Sequence, residues 1–378
     1  MSCHTILLKQ GKNNVIDSPT ALPIVIRGLT KKYGSLYALD SVDLDVSSGE
    51  FLTLLGPSGS GKTTLLMAIA GFNRPDSGSI RFGDTEMILA PPHRREVGMV
   101  FQNYALFPHM TVAENIAFPL KLRRIGSKES RQRVDEALST VQLSDLGGRR
   151  IDQLSGGQMQ RVALARAFVF SPRILLMDEP LSALDKKLRE QMQIELKQLH
   201  RKLGVTTVYV THDQREALTM SDRIAVINHG KFEQIETPQA IYNSPANPFV
   251  ADFIGESAML PVNKSSSGDL FYQDLLISSG YSNSSNEEWL LVIRPERLFA
   301  VEDSTADSDQ NIIFTGVIKE FVYQGETAFA LVAISDEHNL SIRFSTDSSG
   351  SQNLMRPGDT LRLGLKRSEA IIIPQTST

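Results

Sequence analysis

The sequence predicts an α/β domain followed by a small all-β domain. From Ile24 to about Ile241, short apolar runs alternate with amphipathic stretches, which is typical of a sheet covered by helices. After about Ala258 the apolar runs are short and bounded by Ser, Gly, Asp and Pro, which predicts strands in a barrel-like domain. A chain of 378 residues is long enough for two or three domains.

Individual elements of the α/β domain can be placed from their patterns. Lys62–Ala70 predicts a helix that ends at Gly71, and Asp222–Ile235 predicts two strands joined at Asn228-His229-Gly230. Three apolar runs predict buried strands, at Phe51–Leu55, Ile174–Met177 and Thr206–Val210.

The pattern becomes helical between about residues 103 and 165, so we expect a helical subdomain inserted in the α/β domain. Thr111 and Glu114 have the spacing of a capping box at a helix start. Arg131–Val141 has the spacing of an amphipathic helix, and Gly147-Gly148 interrupts the pattern.

These patterns divide the chain into three parts: a mobile tail (1–22), the α/β domain (23–257) and a β-rich domain (258–378). Asn243–Gly255 is a predicted connector, because its two prolines interrupt regular structure. Four segments predict strands of the last part: Leu290–Ile293, Ile312–Ile318, Ala328–Ile334 and Leu361–Leu365.

The composition argues against several classes of function. A net charge of −4 lacks the basic footprint of a nucleic-acid-binding protein, so no nucleic-acid partner is expected. One cysteine, Cys3, cannot form an internal disulfide, which fits a reducing compartment. Thr5–Leu8 is too short for the apolar region of a secretory signal. No run approaches the ~18 apolar residues of a membrane span, so a membrane role is expected to come through a partner.

A phosphate-binding pattern, G-x-x-x-x-G-K-[ST], is matched by Gly56-Pro57-Ser58-Gly59-Ser60-Gly61-Lys62-Thr63, and Thr64 follows in the same segment. Glycines let backbone N–H groups surround phosphate oxygens, and the helix that follows adds its positive N-terminal dipole. We expect Lys62 to contact the β- and γ-phosphates of ATP and Thr63 to ligate Mg²⁺. A glycine- and serine-rich loop that matches by chance is the alternative, and the strand–helix context disfavours it.

A second candidate site is the end of the predicted strand Ile174–Met177, which two adjacent carboxylates follow. Asp178 is predicted to hold Mg²⁺ through its coordination shell, and Glu179 to act as general base on the attacking water. The alternative is a buried strand with an ordinary polar loop, which the phosphate loop upstream disfavours.

A third segment, Leu154-Ser155-Gly156-Gly157-Gln158, precedes the apolar-periodic stretch Arg161–Phe168. The Ser155 hydroxyl and two glycine amides at a helix start make a second anion site. One ATP needs a single phosphate cradle, so a second cradle suggests that two chains share each nucleotide. The alternative is a flexible loop that caps a helix.

These three segments, in this order, resemble the nucleotide-binding subunit of an ATP-binding-cassette (ABC) transporter. The resemblance covers Ile24–Gly255 and implies a P-loop NTPase cassette with a helical subdomain. Four further positions match the family: Gln102 resembles the Q-loop residue implied in catalysis and Mg²⁺ binding, Asp185 the D-loop, His212 the catalytic switch histidine that contacts the γ-phosphate, and Tyr33 the aromatic that stacks on adenine.

The resemblance implies a head-to-tail homodimer, because the chain carries one set of motifs. Each ATP would lie between Gly56–Thr63 of one copy and Ser155–Gln158 of the other. Closing the dimer is expected to push the segment Gln102–Thr111 against two transmembrane permease subunits, with a solute-binding protein completing the system. The implied location is peripheral, at the cytoplasmic face of the membrane.

The C-terminal part, with Ile293-Arg294-Pro295-Glu296, resembles the OB-like accessory domain (TOBE type) of importer ATPases for sugars, polyamines, iron and related solutes. Thr237–Gly255 is most similar to the spermidine/putrescine branch, so a polyamine is the predicted cargo. Two positions depart from the pattern, since Met159 stands where a second glutamine is common and Arg215 replaces a frequent acid. Whether this domain dimerises, regulates or stabilises is left open.

Three alternatives stay open: a sugar, ferric iron or phosphonate importer subunit, a soluble ABC ATPase without a membrane partner, and a non-catalytic nucleotide-binding module. The last is disfavoured because Glu179, Gln102 and His212 are all present. Six other histidines lack metal-ligand spacing and are predicted to have no chemical role: His4, His93, His109, His200, His229 and His338.

Overall fold

The structure, a computed structural model, describes residues 21–280, 288–301, 310–325, 327–345 and 356–375. Nearly all of the predicted mobile tail (1–22) therefore lies outside the described residues. The chain divides into two compact units, the first of residues 1–223 with 227–231 and the second of residues 224–226 with 232–378. The boundary predicted from sequence near residue 257 stays a prediction.

Eight strands belong to the first unit: β1 (Ile24–Tyr33), β2 (Leu36–Val46), β3 (Phe51–Leu55), β4 (Ser77–Phe82), β5 (Thr85–Glu86), β6 (Val97–Val100), β7 (Ile174–Asp178) and β8 (Thr206–Thr211). Four of them form an antiparallel sheet in the order β2-β1-β4-β5. The strands β3, β8, β7 and β6 follow one another as parallel neighbours. Every residue of β3, β7 and β8 is buried, which explains their uniformly apolar or small-polar sequences.

Six helices complete this unit: α1 (Lys62–Ala70), α2 (Val112–Leu122), α3 (Ser127–Thr140), α4 (Gly156–Phe168), α5 (Lys186–Leu203) and α6 (Gln214–Met220). The predicted capping box is present, because the Thr111 hydroxyl accepts from the Glu114 N–H and the Glu114 carboxylate accepts from the Thr111 N–H. Gly71 ends α1 in the left-handed conformation, as its sequence predicts. Helices α2, α3 and α4 share one apolar cluster, which forms the core of the helical subdomain.

Strands β9 (Arg223–Asn228) and β10 (Lys231–Glu236) follow α6 and confirm the predicted pair of strands around Asn228-His229-Gly230. Two short helices come next, α7 (Pro238–Asn243) and α8 (Pro248–Phe253). Pro248 does not interrupt structure here, which corrects the connector prediction. It occupies the first turn of α8, where its missing N–H is no loss, and the Asn247 side chain accepts from the Val250 N–H at 2.9 Å.

The rest of the second unit is all-β: β11 (Ala258–Lys264), β12 (Leu270–Tyr272), β13 (Leu275–Ser278), β14 (Trp289–Ile293), β15 (Leu298–Ala300), β16 (Asn311–Tyr323), β17 (Thr327–Ala333), β18 (Asn339–Ser345), β19 (Thr360–Lys366) and β20 (Ile371–Pro374). They form two five-stranded sheets, ordered β13-β12-β11-β14-β20 and β15-β19-β16-β17-β18. One apolar cluster draws side chains from both sheets. The predicted small all-β domain is confirmed.

A fully buried arginine lies within this second unit. Arg294 donates hydrogen bonds to the carbonyl oxygens of Ala251 at 2.9 Å and Gly255 at 3.2 Å, with longer contacts to those of Glu256 at 3.4 Å and Tyr242 at 3.5 Å. Its guanidinium carbon lies 4.5 Å from the centre of the Tyr242 ring. Burial lowers the pKa of Arg294. The guanidinium thus ties α8 and the residues after it to the end of β14.

Candidate functional site

The phosphate loop follows β3 and enters α1, as its sequence predicts. Two of its glycines are fixed by contacts with neighbouring backbone. A Cβ at Gly56 would lie 2.1 Å from the Ile227 carbonyl oxygen, and one at Gly61 would lie 2.3 Å from the Ala38 carbonyl oxygen. Gly61 also has φ 112°, a backbone conformation that favours glycine. The loop therefore packs directly on main chain, which leaves no room for side chains at these positions.

Lys62 folds back over this loop. Its Nζ donates to the carbonyl oxygens of Gly56 at 2.9 Å and Pro57 at 2.7 Å, and the residue is buried. Burial lowers the pKa of Lys62, while the carboxylates of Glu179 and Asp178 act in the opposite direction. The ammonium group lies at the loop, where a phosphate would replace the carbonyl oxygens as its partner.

Thr63 meets the end of β7. Its hydroxyl donates to Asp178 Oδ1 at 3.2 Å, so two of the three residues that sequence assigns to a metal ion are adjacent. Asp178 is buried, and burial raises the pKa of its carboxyl group, opposed by the Thr63 hydrogen bond and by Lys62. Because strands β3 and β7 both end here, the loop and the carboxylate share one edge of the parallel sheet.

Glu179 is held between two predicted partners. Gln102 Nε2 donates to Glu179 Oε2 at 3.1 Å, and His212 Nδ1 lies 3.2 Å from Glu179 Oε1. The Glu179 backbone has φ 43°, a left-handed conformation that bends the chain sharply after β7. The structure therefore brings together Glu179, Gln102 and His212, which lie far apart in the sequence.

A cavity of about 440 Å³ opens beside the phosphate loop. Its wall includes Lys62, Thr63 and Thr64 together with Tyr37 and His229. Tyr33 is not part of that wall, and its hydroxyl accepts from Asn73 Nδ2 at 3.2 Å. The stacking role of Tyr33 stays a prediction, whereas Tyr37 and His229 are wall residues that carry no sequence signal and that the motif search missed.

The segment Leu154–Gln158 forms the start of α4. Ser155 is an exposed N-cap whose Oγ accepts from the Gln158 N–H at 3.4 Å, while Gln158 Oε1 accepts from the Ser155 N–H at 2.9 Å. A Cβ at Gly157 would lie 3.1 Å from Leu188 Cδ2 on α5, which explains the small residue. Ser155 caps α4, as expected from the alternative that this segment is a loop capping a helix. Binding of a partner's phosphate stays a prediction.

The loop that follows Gln102 is held by one half-buried and one buried side chain that sequence reasoning missed. Tyr104 and Ala105 both have positive φ, 61° and 48°. From the last turn of α4, Arg166 donates to both of their carbonyl oxygens at 2.7 Å. Asn115 is fully buried on α2, where its amide accepts from the Phe107 N–H at 2.8 Å. Arg166 and Asn115 bind backbone groups, and such contacts leave no motif in a sequence. For this reason the two side chains cannot be identified from the sequence.

Asp185 caps α5, since its Oδ1 accepts from the Leu188 N–H at 2.9 Å. Its predicted D-loop role across a dimer is untested by this contact. Among the described residues no group of three or more His, Cys, Asp or Glu side chains could hold a metal ion. The Thr63 hydroxyl and the Asp178 carboxylate are two oxygen donors that lie side by side at the phosphate loop.

A phosphate loop at the end of one parallel strand, facing a carboxylate pair at the end of another with one strand between them, places the first unit in the class of P-loop nucleoside triphosphatases. Family comparison agrees in both units. Residues 39–182 match the ABC transporter model, and residues 291–373 match the TOBE domain model.

Curated relatives match almost the whole chain. A spermidine/putrescine import ATP-binding protein of Pseudomonas aeruginosa is 46% identical over 343 residues, which covers 89% of this chain and 94% of the relative. Proteins with the same description from Nitratidesulfovibrio vulgaris and Thermobifida fusca are 45% and 44% identical, and the alignments cover 96% and 95% of this chain and 98% and 95% of the relatives. The chain belongs to the family of ABC transporter ATP-binding proteins, and it is an ATPase that binds ATP.

Solved structures of ABC cassettes resemble the chain over part of its length. A dimeric cassette in a post-hydrolysis state, bound to ADP and Pi, is 36% identical with a TM-score of 0.51 and covers 57% of this chain and 98% of its own. A second structure, a dimeric bacterial ABC transporter cassette, has a TM-score of 0.52 at the same identity and coverage. Within the described residues, the helices are too short or too polar to cross a membrane.

Proposed function

We propose that this chain is the ATP-hydrolysing subunit of a polyamine importer, with putrescine or spermidine as cargo. The observation that carries the proposal is the match to spermidine/putrescine import ATP-binding proteins at 44–46% identity across both units. A match restricted to the cassette would support only the ATPase activity. The second unit is matched as well, by the TOBE domain model at residues 291–373 and by alignments that cover 89–96% of the chain.

The site residues are proposed to divide the chemistry among them. Lys62 and the amides of the loop Gly56–Thr63 bind the phosphates of ATP, and the following helix adds its dipole. Glu179 accepts a proton from the attacking water, and Gln102 and His212 hold its two carboxylate oxygens in place. His212 is also proposed to stabilise negative charge on the γ-phosphoryl group.

Mg²⁺ is the proposed cofactor, and the donor set fits it. The Thr63 hydroxyl and the Asp178 carboxylate are hard oxygen donors 3.2 Å apart, and Gln102, whose amide nitrogen donates to Glu179, has its amide oxygen as a further donor. These residues would hold the ion directly or through water, with phosphate oxygens completing its shell. When bound, Mg²⁺ neutralises charge on the β- and γ-phosphates.

The proposed assembly is a homodimer that acts on two transmembrane permease subunits, with a solute-binding protein delivering cargo. Support for two copies comes from the exposed anion-type helix start at Ser155, which does not line the cavity of its own chain. In this assembly the chain is peripheral to the membrane, at its cytoplasmic face. The segment after Gln102 is proposed to transmit the movement to the permeases.

The test is transport by the complete system. The chain would be co-purified with its membrane subunits, reconstituted in vesicles with ATP inside, and supplied with binding protein and labelled putrescine, spermidine or a sugar. We expect ATP-dependent uptake of a polyamine and none of the sugar, and a Glu179→Gln complex should show neither. Sugar uptake without polyamine uptake would refute the proposed cargo while leaving the ATPase role intact.

A further inference from the structure

Arg189 lies on the first turns of α5, close to three segments that meet at Glu179. Its NH2 donates to the Leu184 carbonyl oxygen at 2.9 Å, and its Nε lies 3.4 Å from the Leu181 carbonyl oxygen. Both carbonyls belong to the turn of residues 179–185, which connects the carboxylate of Glu179 to Asp185. The side chain therefore fixes this turn from the helix that follows it.

The same turn is already tied to Glu179. The Ser182 N–H and Oγ both donate to the Glu179 carbonyl oxygen, at 3.2 and 2.8 Å, and the Leu184 N–H donates to the Leu181 carbonyl oxygen at 3.2 Å. A shift of the Leu181 or Leu184 carbonyl would therefore move the backbone of Glu179, because these hydrogen bonds connect the residues of the turn.

The NH1 edge of the guanidinium faces the segment that carries His212, because Arg189 NH1 lies 3.5 Å from Asp213 Oδ2. Nε, whose N–H is directed at the Leu181 carbonyl, also lies 3.8 Å from Glu216 Oε1, which is an electrostatic contact without a hydrogen bond. Asp213 is the residue after His212 and caps α6 by accepting from the N–H groups of Arg215 and Glu216.

Glu216 anchors this edge because it is buried and engaged on its other oxygen. The hydroxyls of Tyr209 and Thr211 both donate to Glu216 Oε2 at 2.7 Å, and Thr211 is adjacent to His212. The guanidinium thus contacts one fixed carboxylate and one helix cap, and both lie within four residues of His212.

The two segments that Arg189 contacts also meet each other, because His212 Nδ1 lies 3.2 Å from Glu179 Oε1. We propose that Arg189 is a positioning residue, which holds the 179–185 turn and the His212 segment in one arrangement around Glu179. The proposal rests on the roles proposed above for Glu179 and His212. A planar guanidinium can donate in several fixed directions at once, whereas a lysine ammonium is a single point charge, so only arginine can serve both edges.

The proposal predicts a loss in turnover without a matching loss in nucleotide binding. None of the contacts described for Arg189 involves the phosphate loop. The ATP affinity of Arg189→Gln and of Arg189→Lys should therefore stay within about threefold of that of the unchanged chain. Displacing a catalytic group by about 1 Å costs on the order of 100-fold in rate, so a partial displacement should lower kcat by about tenfold or more.

A matched control is available on the same helix. Glu195 on α5 pairs with Arg161 at 2.7 Å, a shorter contact than any that Arg189 makes, and it touches neither His212 nor the 179–185 turn. Glu195→Gln removes an ion pair from α5 without involving the site. It should keep kcat near that of the unchanged chain and shift the melting temperature about as much as Arg189→Gln does.

The experiment measures kcat, KM and ATP affinity of the full-length chain, with a double-mutant cycle to His212→Ala. Because Arg189 is proposed to hold both the His212 segment and the 179–185 turn, Arg189→Gln should slow His212→Ala less than it slows the unchanged chain, so the two losses are less than additive. Additive losses, or a kcat for Arg189→Gln within twofold of Glu195→Gln, would overturn the proposal. Full activity of His212→Ala would overturn it too, by removing the proposed role of His212. Polyamine uptake tests the cargo separately and does not depend on either result.

Discussion

Replacing Arg294 by methionine tests how much one buried guanidinium stabilises the second unit. Two backbone carbonyls, of Ala251 and Gly255, accept from it at 2.9 and 3.2 Å and would lose these hydrogen bonds, while the Ala251 carbonyl keeps the Ser257 hydroxyl as a donor at 3.2 Å. A hydrogen bond to a charged group contributes about 1.5–3 kcal/mol, so the two together contribute about 3–6 kcal/mol. Loss of the contact with the Tyr242 ring adds about 1 kcal/mol.

An opposing effect reduces this total. Burying a guanidinium costs several kcal/mol, and methionine removes that cost while filling much of the same volume. The carbonyls are main-chain groups that remain buried, so the first effect should exceed the second. We expect the free energy of unfolding of the second unit to fall by about 2–4 kcal/mol.

The assay uses the single tryptophan of the chain. Trp289 is 3% exposed in the core of the second unit, so its fluorescence during urea unfolding reports on that unit within the intact protein. The control is Arg343→Met, which removes a 2.7 Å ion pair with Glu256 whose side chains are 46% and 63% exposed. Such a pair contributes about 0–1 kcal/mol. If Arg294→Met unfolds within about 0.5 kcal/mol of this control, the reasoning is refuted.

Four further predictions concern the first unit. Glu179→Gln should lower phosphate release by about 10²–10⁴-fold while fluorescent ATP still binds, and near-normal turnover would remove its role as base. Ser155→Arg should abolish hydrolysis and leave ATP binding to the chain's own loop intact, whereas a normal rate would contradict the shared site. Gly56→Ala should abolish ATP binding because its Cβ would lie 2.1 Å from a carbonyl oxygen. An ATP titration and a thermal unfolding curve that both match those of the unchanged chain would contradict this prediction. Arg166→Gln should reduce uptake more than ATP hydrolysis in the reconstituted system, because it releases the two carbonyls after Gln102. Equal losses would place Arg166 in hydrolysis instead.

The buried strands of the first unit could be predicted closely because both of their faces are covered. The strand Phe51–Leu55 occupies the residues that its pattern indicates, and the helix Lys62–Ala70 does so too. The antiparallel strands β1 and β2 were missed because one of their faces is exposed and their pairing contains three register shifts. Irregular pairing breaks the simple alternation by which a half-buried strand is recognised.

The residues of the candidate site also fall into two groups, those that a sequence motif reveals and those that it does not. Residues that contact phosphate or metal occur in short contiguous motifs, so Lys62, Asp178 and Glu179 could be selected from sequence. Residues that hold those motifs in place contact backbone carbonyls from distant helices. Arg166 and Arg189 are examples, and single arginines on amphipathic helices are indistinguishable from solvated ones until the chain is folded.

The Ser155 hydroxyl that closes α4 has a further consequence for how long two copies remain together. The hydroxyl accepts from the Gln158 N–H at 3.4 Å, and its own O–H is still available as a donor. In the proposed dimer a γ-phosphate from the partner would accept from this O–H while the internal hydrogen bond stays in place. The helix start would then need no rearrangement when two copies associate or separate, so the lifetime of the closed pair would depend on whether the phosphate is present.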